Sequence, residues 1–148
     1  MKYLLLILLL TGCLDTRAKS IKEMEAKMNS LDDDTLLGPD KNGDGVRDDV
    51  EYWINNSKEV KNNDIRRALL LYAKYLRDGL RLYKDKSKSI ANTYKGMVYK
   101  DCYRLLFEPF SKEKTKMRLF IYKEMTNTKK RKKAHLKADK NFAGEGGA

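Results

Sequence analysis

The chain is poor in the residues from which most hydrolytic and metal-dependent active sites are built. Its 148 residues include one His (His135), two Cys (Cys13 and Cys102), one Trp and two Pro. A single imidazole and two thiols exclude most multi-histidine metal centres and Cys/His nucleophile pairs. There is no P-loop, no G-x-G-x-x-G turn, no H-E-x-x-H and no C-x-x-C. Ser111-Lys112-Glu113-Lys114 spells S-x-x-K, but its S-D-N and K-T-G companions are missing, so the match is chance. His135 is expected on a surface or half-packed helix position. Nothing in the sequence supports an enzyme. Alternation of strand period never lasts more than a few residues, and no apolar run approaches the roughly 20 residues that span a bilayer.

Charge, by contrast, is abundant. Lys and Arg total 32 against 21 Asp and Glu, a net +11, on a length suited to one domain. The excess is unevenly placed. Residues 14–51 hold 6 basic and 11 acidic side chains, net −5. Residues 52–110 hold 13 and 6, and residues 111–148 hold 12 and 4, so both are strongly positive. Such a balance first suggests a nucleic-acid partner.

The N-terminus redirects that reading. Lys2 precedes an unbroken apolar run, Tyr3–Leu10, which is the size of an export-signal h-region. Leu10-Thr11-Gly12-Cys13 follows immediately. This tetrapeptide resembles the lipobox of bacterial lipoproteins. The resemblance implies a signal peptide over residues 1–12, cleavage before Cys13, and acylation of Cys13. Two or three acyl chains would give a durable membrane anchor, where one chain holds only marginally. Leu14, rather than Asp, directly after the Cys favours sorting to the outer membrane over retention at the inner one. Export makes nucleic acid an unexpected ligand. Acylation of Cys13 would also leave Cys102 without a disulfide partner.

The most informative stretch is Asp40-Lys41-Asn42-Gly43-Asp44-Gly45-Val46-Arg47-Asp48-Asp49-Val50-Glu51. Oxygen-bearing side chains alternate at Asp40, Asn42 and Asp44, Gly45 stands at a required sharp turn, and Glu51 closes twelve residues. The stretch resembles the EF-hand calcium loop. Carried over, Asp40, Asn42, Asp44 and Glu51 would supply side-chain oxygens, Asp48 would act directly or through a water, and Val46 would give its carbonyl to Ca²⁺. Arg47 departs from the pattern, which usually has an apolar β-branched residue there. Pro39 disfavours a helix running into the loop. The expectation is therefore a loop with only its exiting helix, whose Val50, Trp53 and Ile54 point inward, and with affinity on the order of 10⁻⁴–10⁻³ M.

The rest reads as helix. Ser20-Ile21-Lys22-Glu23 is a capping box ahead of a short helix to about Asn29. Beyond Asn62 or Asn63, Ile65, Leu69, Tyr72, Leu76, Leu80 and Tyr83 recur at helical spacing, with a ridge of Lys74, Arg77, Arg81 and Lys84 beside them. Ser87 or Ser89 is expected to start a helix that buries Ile90, Tyr94, Met97, Val98, Cys102 and Leu105. Cys102 would thus be a core thiol. Phe107-Glu108-Pro109-Phe110 breaks it. Ser111 caps a third helix with Met117, Phe120, Ile121 and Met125 inward. Asn127 or Thr128 caps a last one from Lys129 to about Phe142. Its block Lys129-Lys130-Arg131-Lys132-Lys133 is a candidate surface for anionic lipid, lipopolysaccharide or wall polymer.

These readings give an all-α fold: a bundle of about four to five helices preceded by an EF-hand-like loop. The divisions are a signal peptide (1–12), an anchored segment with a short helix (13–35), the loop and exiting helix (36–57), the bundle (58–143) and a tail (144–148). The segments Asn42–Glu51 and Asn127–Gly144 together resemble a group of exported bacterial proteins with one calcium loop and a helical body. That resemblance implies a fold and an ion, but no activity. The expected role is a calcium-stabilised structural or adaptor module anchored in the membrane. If Cys13 is acylated, Cys13→Ser moves the protein from the membrane to the soluble fraction on cell fractionation and abolishes acyl labelling.

Overall fold

A computed structural model describes residues 22–106 and 111–144. The lipobox Cys13, the capping box at Ser20, the break at Pro109 and most of the tail lie outside these residues. Among those described there are six helices and no strand. They are α1 (22–31), α2 (Asp48–Asn56), α3 (Asn63–Leu82), α4 (Lys86–Leu105), α5 (Lys112–Met125) and α6 (Lys129–Ala143). The count exceeds the expected four to five because α1 and α2 add to the four helices α3 to α6, with α2 packed on α3 and α5. No described helix is long and apolar enough to cross a membrane.

Local chemistry sets most helix starts. The side chains of Asn62, Ser111 and Thr128 accept from the amides of Ile65, Lys114 and Arg131, and so satisfy first-turn donors that have no helical partner. α4 begins earlier than either serine would place it. Asp85, an equally good cap that the chain reaches first, accepts from Lys88 N at 3.1 Å. Ser89 is instead buried against α3's side of the bundle, and its Oγ has no hydrogen-bond partner.

α3 is the central helix. Its stripe is buried as the spacing requires: Ile65, Leu69, Tyr72, Leu76 and Leu80, with Ala68 and Ala73 alongside. α4, α5, α6 and α2 all pack on it. From α2, Trp53 stacks on Phe120 of α5 with ring centroids 4.3 Å apart, while Val50 and Ile54 are fully buried. α5 turns Met117, Ile121 and Met125 inward. Polar ties lock the bundle laterally. Asn92 Nδ2 donates to Tyr75 O at 3.2 Å, Tyr103 Oη to Lys114 O at 2.9 Å, and Asn141 Nδ2 to Tyr83 O at 3.0 Å.

α4 packs opposite to expectation. Its buried residues are Ser89, Asn92, Gly96 and Tyr103. Ile90 is only half-buried, and Tyr94, Met97, Val98, Cys102 and Leu105 are exposed. Cys102 is therefore a surface thiol and not a core one. The reason is steric. α3 presents the bulky Tyr72, Tyr75 and Leu76, and a thin helix face is needed for the backbones to approach. A Cβ on Gly96 would lie 2.2 Å from Cε2 of the buried Tyr75 ring. Fit against a large neighbour outweighs the hydrophobicity of α4's other side.

Gly96→Ala is therefore expected to destabilise the fold by about 1–3 kcal/mol through overpacking, despite the roughly 1 kcal/mol that Ala gains in helix propensity. Val98→Ala is expected to stay within about 0.5 kcal/mol, as a surface change should. Urea unfolding of both variants checks the pair.

Candidate metal site and its buried ion-pair frame

No helix enters the loop: residues 32–47 carry no regular structure between α1 and α2. Asp48 N donates to Pro39 O at 2.9 Å and closes the segment at its neck. Gly38, Gly43 and Gly45 all have left-handed φ, and at Gly45 the value is +88°, where a side chain would be strained.

Within this closed turn the acidic and amide side chains are partly committed to holding the backbone. Gly45 N donates to Asp40 Oδ2, Asp44 N to Asn42 Oδ1, Val46 N to Asp44 Oδ1 and Lys41 N to Asp48 Oδ1, all at 2.8–3.1 Å. The Asn42 Nδ2 group stands between Asp44 and Glu51 and donates to both at 3.2 Å. Asp40 and Asp48 each use one oxygen in this way. Their other oxygens, Asp40 Oδ1 and Asp48 Oδ2, are buried without any hydrogen-bond partner.

Negative charge gathers at Glu51. Burial first, then the nearby Asp44, Asp48 and Asp40 carboxylates, push its carboxyl above its ordinary value, and the Asn42 bond offsets only part of this. No three Asp, Glu, His or Cys side chains among the described residues converge closely enough to form a preassembled metal site. The donor set is nonetheless of hard oxygens, which suits Ca²⁺, and two of its oxygens are buried and unsatisfied.

α3 forms the far wall, a role that the sequence suggested only as a basic ridge. Arg77 Nη1 binds Asp40 Oδ2 at 2.8 Å, and its Nε donates to Leu37 O at 3.2 Å. Lys74 Nζ donates to Asp44 O at 2.6 Å. Two cations thus offset part of the charge of the four carboxylates Asp40, Asp44, Asp48 and Glu51.

Beneath the loop lies a buried ion-pair frame. Arg47, the residue that breaks the calcium-loop pattern, is fully buried and grips Asp49 through Nε and Nη2. Its Nη2 also lies 3.6 Å from Asp32. Arg131 is fully buried too, and all five of its donors are used. Nε donates to Thr35 O; Nη1 to Asp32 Oδ2 and Asn127 Oδ1; Nη2 to Asp32 Oδ1 and Asp33 O. Burial opposes ionisation of Asp32, yet hydrogen bonds from Arg131 and Asn127 and the charges of both arginines hold its pKa below the ordinary value. Gly38 is wedged between the arginines. A Cβ there would lie 2.1 Å from Arg47 Cδ and 3.1 Å from Arg131 Nη2.

Arg131 is therefore withdrawn from the expected anion-binding block. Five consecutive helical residues sweep about 400° and cannot share one face. Lys129, Lys130, Lys132 and Lys133 are exposed, while Arg131 lands on the buried side. His135 is half-buried, with Nδ1 3.1 Å from Asp139 Oδ2.

Compared with known protein families, with curated proteins and with solved structures, the chain finds no match. The site's own chemistry is what remains to define its class.

Arg131→Lys keeps the charge but loses the forked geometry and leaves Asp32 incompletely paired. It is expected to lower stability by about 3–5 kcal/mol, as breaking a buried pair does. Lys132→Ala, one residue along, is expected to change it by less than about 0.5 kcal/mol. Denaturant melts of both variants make the comparison.

Proposed function

We propose that the protein is a bacterial lipoprotein, anchored through Cys13, whose helical domain is stabilised by a calcium ion held in the Asp40–Glu51 loop. Its role is that of a structural or adaptor module and not of an enzyme. One observation carries the calcium reading: Asp40 and Asp48 each bind the loop backbone with one oxygen and keep the other buried without a partner. Leaving a buried charged acceptor unmade costs on the order of 1–3 kcal/mol or more, which a hard cation would recover.

Asp40, Asn42, Asp44, Asp48 and Glu51, with the Val46 carbonyl, are the residues that would hold the ion. The calcium would neutralise the carboxylates crowded at Glu51 and brace the junction into α2. α2 carries Trp53 into the core, so the junction's order is transmitted to the bundle. The lipid anchor at Cys13 rests on the lipobox, and the outer membrane is the favoured site. A second reading keeps the anchor but gives the domain an anionic lipid, lipopolysaccharide or wall-polymer ligand. The exposure of Lys129, Lys130, Lys132 and Lys133 favours it.

Calcium binding only to the folded state stabilises it by mass action, about 1.4 kcal/mol at ten times Kd, or roughly 4–8 °C in Tm for a domain of this size. Asp44→Ala is expected to abolish that rise and the accompanying change in Trp53 fluorescence. The pH dependence has a definite sign. Glu51's raised pKa contributes stability below its unfolded value that is lost as pH rises through the folded value. Calcium favours the carboxylate, so the proton competes, and the calcium-induced Tm rise should shrink as pH falls from 7 toward 5. Thermal melts with and without several millimolar Ca²⁺ at each pH decide this. A flat response to calcium at neutral pH removes the reading.

A further inference from the structure

The inverted packing of α4 leaves an apolar face on the outside of the molecule. At about 100° per residue, Ser89, Asn92, Gly96 and Tyr103 cluster on one side of the helix, and Ile90, Tyr94, Val98 and Leu105 lie on the opposite side, with Met97 adjoining. Apart from the half-buried Ile90, these outward residues are substantially exposed: Tyr94 57%, Val98 60% and Leu105 81%. They repeat at spacings of four and seven, so they line one side of the helix, with Asp101 between Val98 and Leu105, and are not scattered exposed residues. The stripe broadens toward α3 over a groove of about 220 Å³ that Leu71, Tyr99, Cys102 and Leu106 help to line.

Cations border the stripe on both sides. Lys86, Lys100 and Arg104 run along one edge and Lys88 and Lys95 along the other, all exposed. The single acidic residue on α4, Asp101, lies within the outward face and is paired with Arg104 at 3.5 Å. An apolar stripe edged with Lys and Arg is the pattern of a helix that lies in the interface of an anionic bilayer. A second copy of the chain is disfavoured, because apposing two such faces would set cations against cations in a chain of net charge +11.

We propose that the outward face of α4 docks on an anionic lipid bilayer, with Tyr94, Met97, Val98 and Leu105 toward the acyl region and the flanking Lys and Arg at the headgroups. The contact does not require the lipid anchor. With an anchor at Cys13, eight residues separate it from the first residue of α1, a reach of at most about 32 Å. The face would then act at high effective concentration beside the membrane.

The test uses the chain from residue 13 onward carrying Cys13→Ser. It contains every described contact and carries no lipid, so its outcome is separate from that of the anchor. Flotation is measured with vesicles of phosphatidylcholine and phosphatidylglycerol in equal parts, and with phosphatidylcholine alone. Expected are binding to the anionic vesicles, weakening with added salt, and a loss of about tenfold or more in the double variant Val98→Asp, Leu105→Asp. Both positions are exposed, and an unchanged melting temperature confirms that the variant is folded. Absence of binding to anionic vesicles overturns the proposal. So does equal binding to neutral ones, or loss only when Lys129, Lys130, Lys132 and Lys133 are replaced by Ala. Sedimentation that shows a dimer dissolved by the double variant also overturns it, since the face would then belong to a second copy.

Discussion

The structure depends on one carboxylate shared between two buried guanidinium groups. Asp32 faces Arg131 with both oxygens and lies within ion-pair distance of Arg47. Both arginines are withdrawn from water: Arg131 relies on Asp32 for its forked pair, and Arg47 adds Asp32 to the fork it makes on Asp49. The residues involved are almost a hundred positions apart, and their pairing ties the segment after α1, the start of α2 and the first turn of α6 into one block. Gly38 is part of the same constraint, because only a residue without a Cβ leaves room for two arginine side chains to pass. Breaking such a frame is costly, since a buried charge left without its partner has neither water nor a counter-ion.

The loop's geometry follows from that frame. With Arg47 turned down into the protein, the side of the loop that a paired EF-hand would use for a short strand is instead fastened to Asp49 and Asp32. α3 closes the opposite side with Lys74 and Arg77. Between these walls the carboxylates are divided, one oxygen holding the backbone and the other left open at Asp40 and Asp48. That division is what the proposed calcium ion would complete. The charge arrangement also places the acidic head and the basic body in direct contact, so Arg77 and Arg131 of the body are neutralised by carboxylates of the head while the net positive excess is left to other side chains.

Much of the helical scaffold is legible in the sequence. α3's stripe, its Asn62 cap, the Ser111 and Thr128 caps, and Gly45 at a left-handed turn are all consequences of local spacing and local hydrogen bonding. Those signals act over a few residues and need no knowledge of neighbours. Apart from the start of α4, where Asp85 caps ahead of either serine, the differences are non-local. The apolar side of α4 looked like the buried one because hydrophobic periodicity records which face is greasy. It does not record which face fits against Tyr75. The run Lys129 to Lys133 looked like a uniform patch, and no local signal separates Arg131 from the lysines around it; only its bidentate chemistry sets it apart. Arg77 and Lys74 were visible as a ridge but not as the loop's wall.

By itself, then, the sequence determined that the chain is all-helical, where most helices begin, that α3 is buried along one stripe, and that residues 38–48 must turn through glycines. Capping, periodicity and left-handed φ are short-range requirements, and the amino-acid types meet them on their own. Only the tertiary structure decided which face of α4 meets the core, that Arg131 and Arg47 leave the surface, and that two carboxylate oxygens in the loop are buried without partners. Those outcomes depend on steric fit and desolvation between segments far apart in the chain, and both come into being only when the segments are brought together.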